Sequence, residues 1–110
     1  MTTDKSTWKK LEMRLCKEMG GKRTPLSGSN SQHGTSADCI ELDQEFEKFY
    51  FEIRLREKFS HHTMFFDDVE KPAIKENKIP ILLTHKKSSK NGDLVTMKFC
   101  DFINLVKNNK

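Results

Sequence analysis

The chain has 110 residues, of which 33% are charged and 35% hydrophobic, and its net charge is +4. That length predicts a single domain over residues 1–110, and the composition excludes a fully disordered chain. No apolar run reaches the roughly 18 residues that span a bilayer, and the first ten residues lack the apolar core of a secretory signal. We therefore expect a cytoplasmic protein that makes no membrane contact. The positive charge permits nucleic-acid binding without demonstrating it.

Three cysteines, Cys16, Cys39 and Cys100, are far apart in the sequence. They form no CxxC pair, so a structural zinc site is not expected. An odd number of cysteines in an intracellular protein predicts free thiols, each acting as a small buried hydrophobic side chain.

A helix is predicted over residues 7–19, because apolar side chains recur there at helical spacing: Trp8, Leu11, Leu15 and Met19. Gly20-Gly21 ends it. Glu12 interrupts the pattern, since it falls within the apolar face, where an unpaired carboxylate is costly to bury. Glu12 therefore either reaches solvent or an arginine, or it is a carboxylate delivered to an active site.

A Ser/Gly-rich loop is predicted for residues 24–36, followed by a short strand over 37–42 and a stronger strand over 48–56. Polar and apolar side chains alternate along the stronger strand: Phe49, Phe51, Ile53 and Leu55 against Tyr50, Glu52, Arg54 and Arg56. The DQE segment between the two strands suits a turn, which predicts an antiparallel hairpin.

The second half of the chain continues the alternation of helix and strand. A helix is predicted over residues 63–77, kinked or restarted by Pro72. The apolar run at 79–84 predicts a buried strand, and an Asn-Gly turn at 91–92 joins it to a strand over 94–99. A short helix follows Asp101. The order α-β-β-α-β-β-α predicts an α/β fold with a mixed central β-sheet flanked by helices.

The candidate chemical residues are Asp38 in the first strand and Glu52 on the polar face of the second. A hairpin would bring them together, and converging carboxylates repel each other unless a cation lies between them. Oxygen ligands of this kind suit Mg²⁺, for which Mn²⁺ could substitute, and such an ion can activate water and neutralise phosphate charge. Arg54 shares the strand face of Glu52 and could stabilise charge developing on a phosphate.

Each of these features also has a simpler interpretation. An E-x-R on a strand commonly forms an exposed charge pair, and an Asp after a Ser/Gly loop is commonly a turn residue. Asp67-Asp68 could bind a metal, but an acidic pair at a helix start explains it as well. His61-His62 point in opposite directions on an extended chain, so they are not expected to share a metal.

Nearly the whole chain resembles the PD-(D/E)XK nuclease superfamily, and within it the archaeal Holliday-junction resolvases and related small viral or prophage nucleases. The matching stretches are WKKLEMRLCKEMGGKR, PLSGSNSQHGTSADCI, FYFEIRLRE, and KIPILLTHKK with GDLVTMKF. The resemblance implies a restriction-endonuclease-like core, a homodimer and a DNA substrate, in particular branched DNA. It also implies that the helix Glu is Glu12, the signature Asp is Asp38, the Glu of E-x-K is Glu52, and a loop Ser is Ser27.

Arg54 stands where that family has the lysine of E-x-K. Arginine keeps the positive charge but does not lose its proton, so it can hold charge without accepting a proton. The alternative to an endonuclease is therefore a DNA-binding protein that retains the nuclease fold without catalysis. A third possibility is a partner-binding protein that uses its aromatic residues and binds no nucleic acid.

Several basic side chains are candidates for DNA phosphate contacts, although a solvated surface explains any one of them. They are Lys9, Lys10, Lys17, Lys22 and Arg23 near the first helix, Arg56 and Lys58 after the second strand, and Lys86, Lys87 and Lys90 in the later hairpin. No base-reading motif is evident, so recognition of DNA shape is expected. Met64-Phe65-Phe66 is a candidate dimer surface, although its phenylalanines also suit the core.

Overall fold

The structure is a computed structural model that describes residues 4–25, 35–90 and 92–108. Its helices are α1 (Asp4–Glu18), α2 (His61–Met64), α3 (Lys71–Lys75) and α4 (Phe99–Asn108). Its strands are β1 (Lys22–Arg23), β2 (Cys39–Ile40), β3 (Phe49–Arg56), β4 (Ile79–Lys86) and β5 (Asp93–Thr96). Most of the predicted 24–36 loop, with Ser27, lies outside the described residues, as does Asn91 of the predicted Asn-Gly turn. Within these ranges no helix is long and apolar enough to cross a membrane.

The strands β3, β4 and β5 form a mixed sheet in that order. β3 and β4 are parallel, with Glu52 opposite Leu82 and Arg54 opposite Thr84, whereas β4 and β5 are antiparallel. Parallel neighbours need a crossover, and the helical segment 61–75 provides it. The predicted α/β class with a mixed sheet is confirmed.

Side chains of β3 divide between two hydrophobic clusters, one on each face of the sheet. On one face Phe51, Ile53 and Leu55 pack with Leu11 and Leu15 of α1. On the other face Tyr50 and Leu82 pack with residues of the helical segment 61–75, namely Phe65, Val69 and Ala73. The alternation predicted for β3 therefore describes its burial, and helices cover both faces of the sheet.

The helical segment 61–75 changes its winding partway along. α2 passes into a π-helical turn over Phe65–Glu70, and α3 then begins with Pro72 in its first turn. The backbone is helical on both sides of this change, since Glu70 and Lys71 both have α-helical dihedral angles. The helix therefore continues across Pro72 with a change of winding just before it, where the sequence predicted a kink or a restart. Of the candidate dimer residues, Phe65 is buried in the core and Phe66 is 38% exposed.

The predicted hairpin between residues 37–42 and 48–56 is wrong, because β2 pairs with β1 instead. A two-residue strand cannot support a long ladder, and Glu41, with φ of 58°, turns the chain away immediately after β2. Asp38, the residue before β2, nevertheless lies beside β3 as expected. The Asp38 amide donates to the Phe51 carbonyl at 3.0 Å, and the Thr24 amide donates to the Asp38 carbonyl at 2.9 Å.

The prediction of three free, buried thiols is also wrong. Cys16 and Cys39 are buried as expected, but they form a disulfide, with their Cα atoms 5.4 Å apart. Cys100 is free and exposed. The pairing depends on α1 packing beside β2 across a sequence separation of 23 residues, a contact that cysteine spacing does not reveal.

Candidate active site

Three separate parts of the chain bring the predicted catalytic residues to the edge of the main sheet. Glu12 comes from α1, Asp38 from the residue before β2, and both Glu52 and Arg54 from β3. We call Glu12, Asp38 and Glu52 the acidic cluster. Its members affect one another electrostatically, because the charge of Asp38 raises the pKa of both Glu12 and Glu52.

Glu12 is fully buried among the apolar side chains of α1. Its Oε1 accepts a hydrogen bond of 2.5 Å from Nε of Arg23, so the predicted interpretation of an arginine partner holds for this atom. Its Oε2 is buried and has no hydrogen-bond partner among the described residues. A buried carboxylate oxygen without a partner is costly, so the arginine satisfies only half of the group.

Asp38 is 5% exposed and is held beside β3 by its own side chain. Its Oδ2 accepts a hydrogen bond of 2.7 Å from the Ile53 amide. The preceding residues are anchored by Glu76, whose carboxylate accepts bonds from the Thr35 hydroxyl at 2.5 Å and the Ser36 amide at 2.9 Å. The carboxylate of Asp38 is thus placed between Ile53 and the other acids with little freedom to move.

Glu52 and Arg54 lie two residues apart on one face of β3 and form an ion pair. Both side chains are largely buried, at 13% and 22% exposure. The second guanidinium nitrogen of Arg54 lies 3.6 Å from Asp68 in the π-helical turn. The prediction that Arg54 shares the face of Glu52 is confirmed, and the guanidinium is held by two carboxylates.

The acidic cluster is short of positive charge. Burial, followed by the charge of Asp38, raises the pKa of Glu12 to about 7 against the opposing effect of Arg23. Burial and Asp38 likewise raise the pKa of Glu52 to about 7, with Arg54 opposing. Burial also raises the pKa of Asp38, although the hydrogen bond from Ile53 lowers it. Two arginines therefore do not fully compensate three buried carboxylates.

A divalent cation fits this donor set chemically, although no preformed ligand cage is present. Among the residues that the structure describes, no group of three or more Asp, Glu, His or Cys side chains is arranged to hold one metal ion. The side chain of Glu52 is engaged by Arg54, and that of Asp38 by Ile53. Carboxylate oxygens are the ligands that Mg²⁺ takes, usually one or two per site. Burial is the main cause of the raised pKa values of Glu12 and Glu52, and a bound cation would favour their ionised forms.

The basic residues are distributed more widely. Lys9, Lys10, Lys17, Lys58, Lys86 and Lys90 are exposed, and Lys87 is partly buried. Lys22 is exposed and lies 3.5 Å from Glu41. Arg23 is bound to Glu12 and packs over the Trp8 ring at 5.5 Å, so the structure places it inside rather than on a DNA-facing surface.

Arg56 and Lys86 face one another across β3 and β4. The sequence does not reveal this pair, because the two residues belong to strands 30 positions apart. They lie two residues beyond Arg54 and Thr84, which extends the positive charge of Arg54 toward the ends of the two strands.

Two further residues at the site are not evident from sequence spacing. Asp68 reaches Arg54 because the helical segment covers the face of the sheet that carries Glu52. His61 Nε2 lies 3.4 Å from Thr84 Oγ1, directly beside the Arg54 position. In the sequence these residues stand out only as the pairs Asp67-Asp68 and His61-His62. The local pattern around each pair does not predict a contact with β3 or β4.

The chain matches no protein-family model, no curated protein and no solved structure. Any functional assignment therefore depends on the residues of the site and on the sequence resemblance.

Proposed function

We propose that this protein is a Mg²⁺-dependent endonuclease that hydrolyses phosphodiester bonds in DNA, with branched DNA such as four-way junctions as its preferred substrate. Mn²⁺ would substitute for Mg²⁺. The protein would act in the cytoplasm as a homodimer, because resolving a four-way junction requires two cuts. The observation that carries the proposal is the acidic cluster, in which Asp38 interacts electrostatically with both Glu12 and Glu52 and one oxygen of the buried Glu12 has no partner among the described residues.

Each residue of the site has a distinct role in this proposal. Asp38 and Glu52 would hold the cation, and Glu12 would support the site through its unpartnered oxygen. Arg54 would hold a phosphate oxygen and balance the negative charge that grows during hydrolysis. When bound, Mg²⁺ would supply Lewis-acid chemistry by neutralising phosphate charge and lowering the pKa of water.

Two features of the fold support the proposal. The mixed sheet with helices on both faces agrees with the core that the nuclease resemblance implies. Arg56 and Lys86, paired across β3 and β4 two residues beyond Arg54, would contact phosphates. The remaining exposed lysines would position the duplex without reading its sequence.

The direct test is to incubate plasmid and four-way junction with purified protein in Mg²⁺, Mn²⁺ or EDTA. We expect cleavage with either metal and none in EDTA, and Asp38→Asn and Glu52→Gln should each remove most of it. Glu47→Gln changes an exposed glutamate between β2 and β3, and this matched control should cut at the wild-type rate. Circular dichroism would verify that all variants fold. Equal rates for the wild type and both site variants would refute the assignment.

A second candidate is a DNA-binding protein that has lost catalysis, which the pairing of Arg54 with both Glu52 and Asp68 favours. If Arg54 acts through its charge, Arg54→Lys should keep or raise the cleavage rate and Arg54→Ala should abolish it. If catalysis is lost, all three proteins should bind junctions and none should cut. Cutting restored by Arg54→Lys in an inactive parent would identify a decayed nuclease. Strong cutting by Arg54→Ala would redirect attention to Lys58.

Salt dependence separates both candidates from a partner-binding protein that does not bind nucleic acid. DNA affinity should fall steeply as salt concentration rises, because phosphate contacts release counterions. Neutralising one phosphate-contacting lysine, for example Lys86→Gln, should reduce the salt slope by about one. Absence of binding at low salt would favour the partner-binding alternative.

A further inference from the structure

A cavity of about 270 Å³ lies outside the acidic cluster, between the start of the helical segment 61–75 and the link from β5 to α4. Five aromatic rings and one thioether line it: His61, His62, Phe65, Phe66, Phe99 and Met97. Lys98, which pairs with Glu70, also lines the cavity. No carboxylate is among its described lining residues. This lining suits a flat aromatic ligand rather than a strongly polar one.

The aromatic rings are held in place by their neighbours while part of their surface stays open. The Phe66 ring lies edge-to-face against Phe65, with centroids 5.1 Å apart, and 5.3 Å from the His62 ring. Phe66 is nevertheless 38% exposed and Phe99 is 75% exposed. Rings that are already ordered lose little freedom when a ligand stacks on them.

The cavity is connected to the proposed phosphate site through two side chains. His61 lines the cavity and lies 3.4 Å from Thr84. Thr84 is the direct neighbour of Arg54 across β3 and β4, and paired strands lie about 4.8 Å apart. Only His61 and Thr84 separate the cavity from Arg54 in this chain of contacts, which makes a base adjacent to a phosphate held at Arg54 the candidate occupant.

We propose that this cavity binds one unpaired nucleobase next to the scissile phosphate, by stacking on Phe66 and Phe99; this inference rests on the proposed nuclease function. Its volume is just below the roughly 300–1,000 Å³ of pockets for drug-sized ligands, so it suits a single planar heterocycle. Base–aromatic stacking tolerates any base. The site therefore selects DNA by the availability of an unpaired base, as in a bulge or at a frayed strand end, because a paired base would first have to leave the duplex stack.

The probe is a short DNA duplex with one 2-aminopurine base, either unpaired in a bulge or paired in an otherwise identical duplex. Binding is measured in EDTA at low salt, so that affinity and 2-aminopurine emission are read without cleavage. The wild type should bind the bulged DNA more tightly and quench its emission. Phe66→Leu and Phe99→Leu should each weaken bulged-DNA binding about tenfold, with affinity for the paired duplex unchanged.

Ile74→Ala is the control, since Ile74 is an exposed apolar residue of α3 that does not line the cavity. It should leave both affinities at the wild-type value. Phe99 lies far enough outside the core that its replacement tests the cavity even if Phe66→Leu unfolds. Equal weakening of bulged and paired DNA, an unchanged affinity for bulged DNA, or unquenched emission would each overturn the base site.

Parallel measurements separate the two proposals and the other possible occupant. If the wild type cuts DNA with Mg²⁺ but the cavity variants bind bulged DNA normally, the base site fails and the nuclease proposal stands. If the wild type neither binds nor cuts DNA, both fail. If the cavity variants lower the mass measured by light scattering and keep the preference for bulged DNA, the cavity is a contact between copies of the chain and the base site is overturned.

Discussion

The acidic cluster buries charged side chains, whereas the C-terminal segment formed by β5 and α4 exposes apolar ones. Glu12 and Asp38 are charged groups that are at most 5% exposed, whereas Leu94, Val95 and Phe99 are apolar and more than half exposed. Isolated exposed apolar residues are common, but a buried carboxylate or a group of exposed large apolar residues is informative. Each region departs from the usual distribution in a way that packing alone does not explain.

The two regions lack different kinds of partner: the acidic cluster lacks positive charge, and α4 lacks an apolar surface to pack against. At the acidic cluster positive charge is lacking inside the fold, because apolar neighbours on α1 and β3 enclose carboxylates that two arginines only partly neutralise. On α4 an apolar partner surface is lacking, because the described residues leave Phe102 and Val106 uncovered. Changes at the acidic cluster should therefore alter folding stability, while changes on α4 should alter association.

The largest effect is expected from Arg23→Ala. It leaves the Glu12 carboxylate buried without a partner, and breaking a buried pair in this way costs about 3–5 kcal/mol. Urea unfolding would measure the free energy. Lys22→Ala is the control on the adjacent residue, where an exposed contact with Glu41 should be worth about 1 kcal/mol or less. Glu12→Gln should recover much of the loss in the Arg23→Ala background. Similar losses for both single variants would show that the buried pair is not special.

Breaking the Cys16–Cys39 disulfide should have the next largest effect. It closes a loop with a sequence separation of 23 residues, and constraining the unfolded chain in this way contributes about 3 kcal/mol. The bond also joins α1, which contains Glu12, to β2, which directly follows Asp38. Thermal unfolding of Cys16→Ser should show the loss, and Cys100→Ser, an exposed free cysteine, is the control. One thiol should titrate in denaturant without reductant; three would contradict the disulfide.

A pH dependence of intermediate size is expected at the acidic cluster. The folded pKa of Glu12 and of Glu52 is about 7, above the ordinary value of 4.5, so the folded protein binds more protons between these values. Their contribution to stability is fully present below about pH 4.5 and is lost as pH rises through 7. Unfolding free energy should therefore fall between pH 5 and pH 8 by up to about 2.5 kcal/mol for each of the two glutamates, at about 1.4 kcal/mol per pKa unit and before the two titrations affect one another.

Melting temperatures measured across this pH range, with and without Mg²⁺, would test this dependence. Glu12→Gln should flatten the profile, whereas Glu47→Gln should keep the wild-type slope. Mg²⁺ should restore stability at pH 8, because a bound cation favours the ionised carboxylates. A profile that rises with pH would contradict the raised pKa values, and insensitivity to Mg²⁺ at pH 8 would count against the metal site.

The smallest effect on stability is expected on α4. Val106→Asn changes an exposed apolar residue, so the free energy of unfolding should change by about 0.5 kcal/mol or less. The proposed homodimer has a candidate apolar surface on α4, where Phe102 and Val106 are exposed, whereas Phe65 of the predicted dimer segment is buried in the core. Light scattering at micromolar concentration should give a dimer mass for the wild type and a monomer mass for Val106→Asn. A monomeric wild type would refute the dimer.

Local pattern was sufficient for the elements whose signals lie within a few residues. β3 and β4 follow from their apolar side chains, and the predicted helix at 7–19 corresponds to α1. Contacts between residues far apart in the sequence could not be predicted from local pattern in the same way. The residues 37–42 were expected to pair with β3, yet β2 pairs with β1, because strand pairing depends on where the rest of the chain packs.

The sequence by itself determined the α/β class, the alternation of β3 that aligns Glu52 with Arg54, and the anomaly of Glu12 on an apolar helix face. Only the tertiary structure decided that Arg23 satisfies one oxygen of Glu12, that Asp68 reaches Arg54, and that Cys16 bonds Cys39. The physical reason is range. Periodicity acts between residues a few positions apart, whereas the pKa of a buried carboxylate depends on every charge and apolar group that folding brings within several ångströms of it.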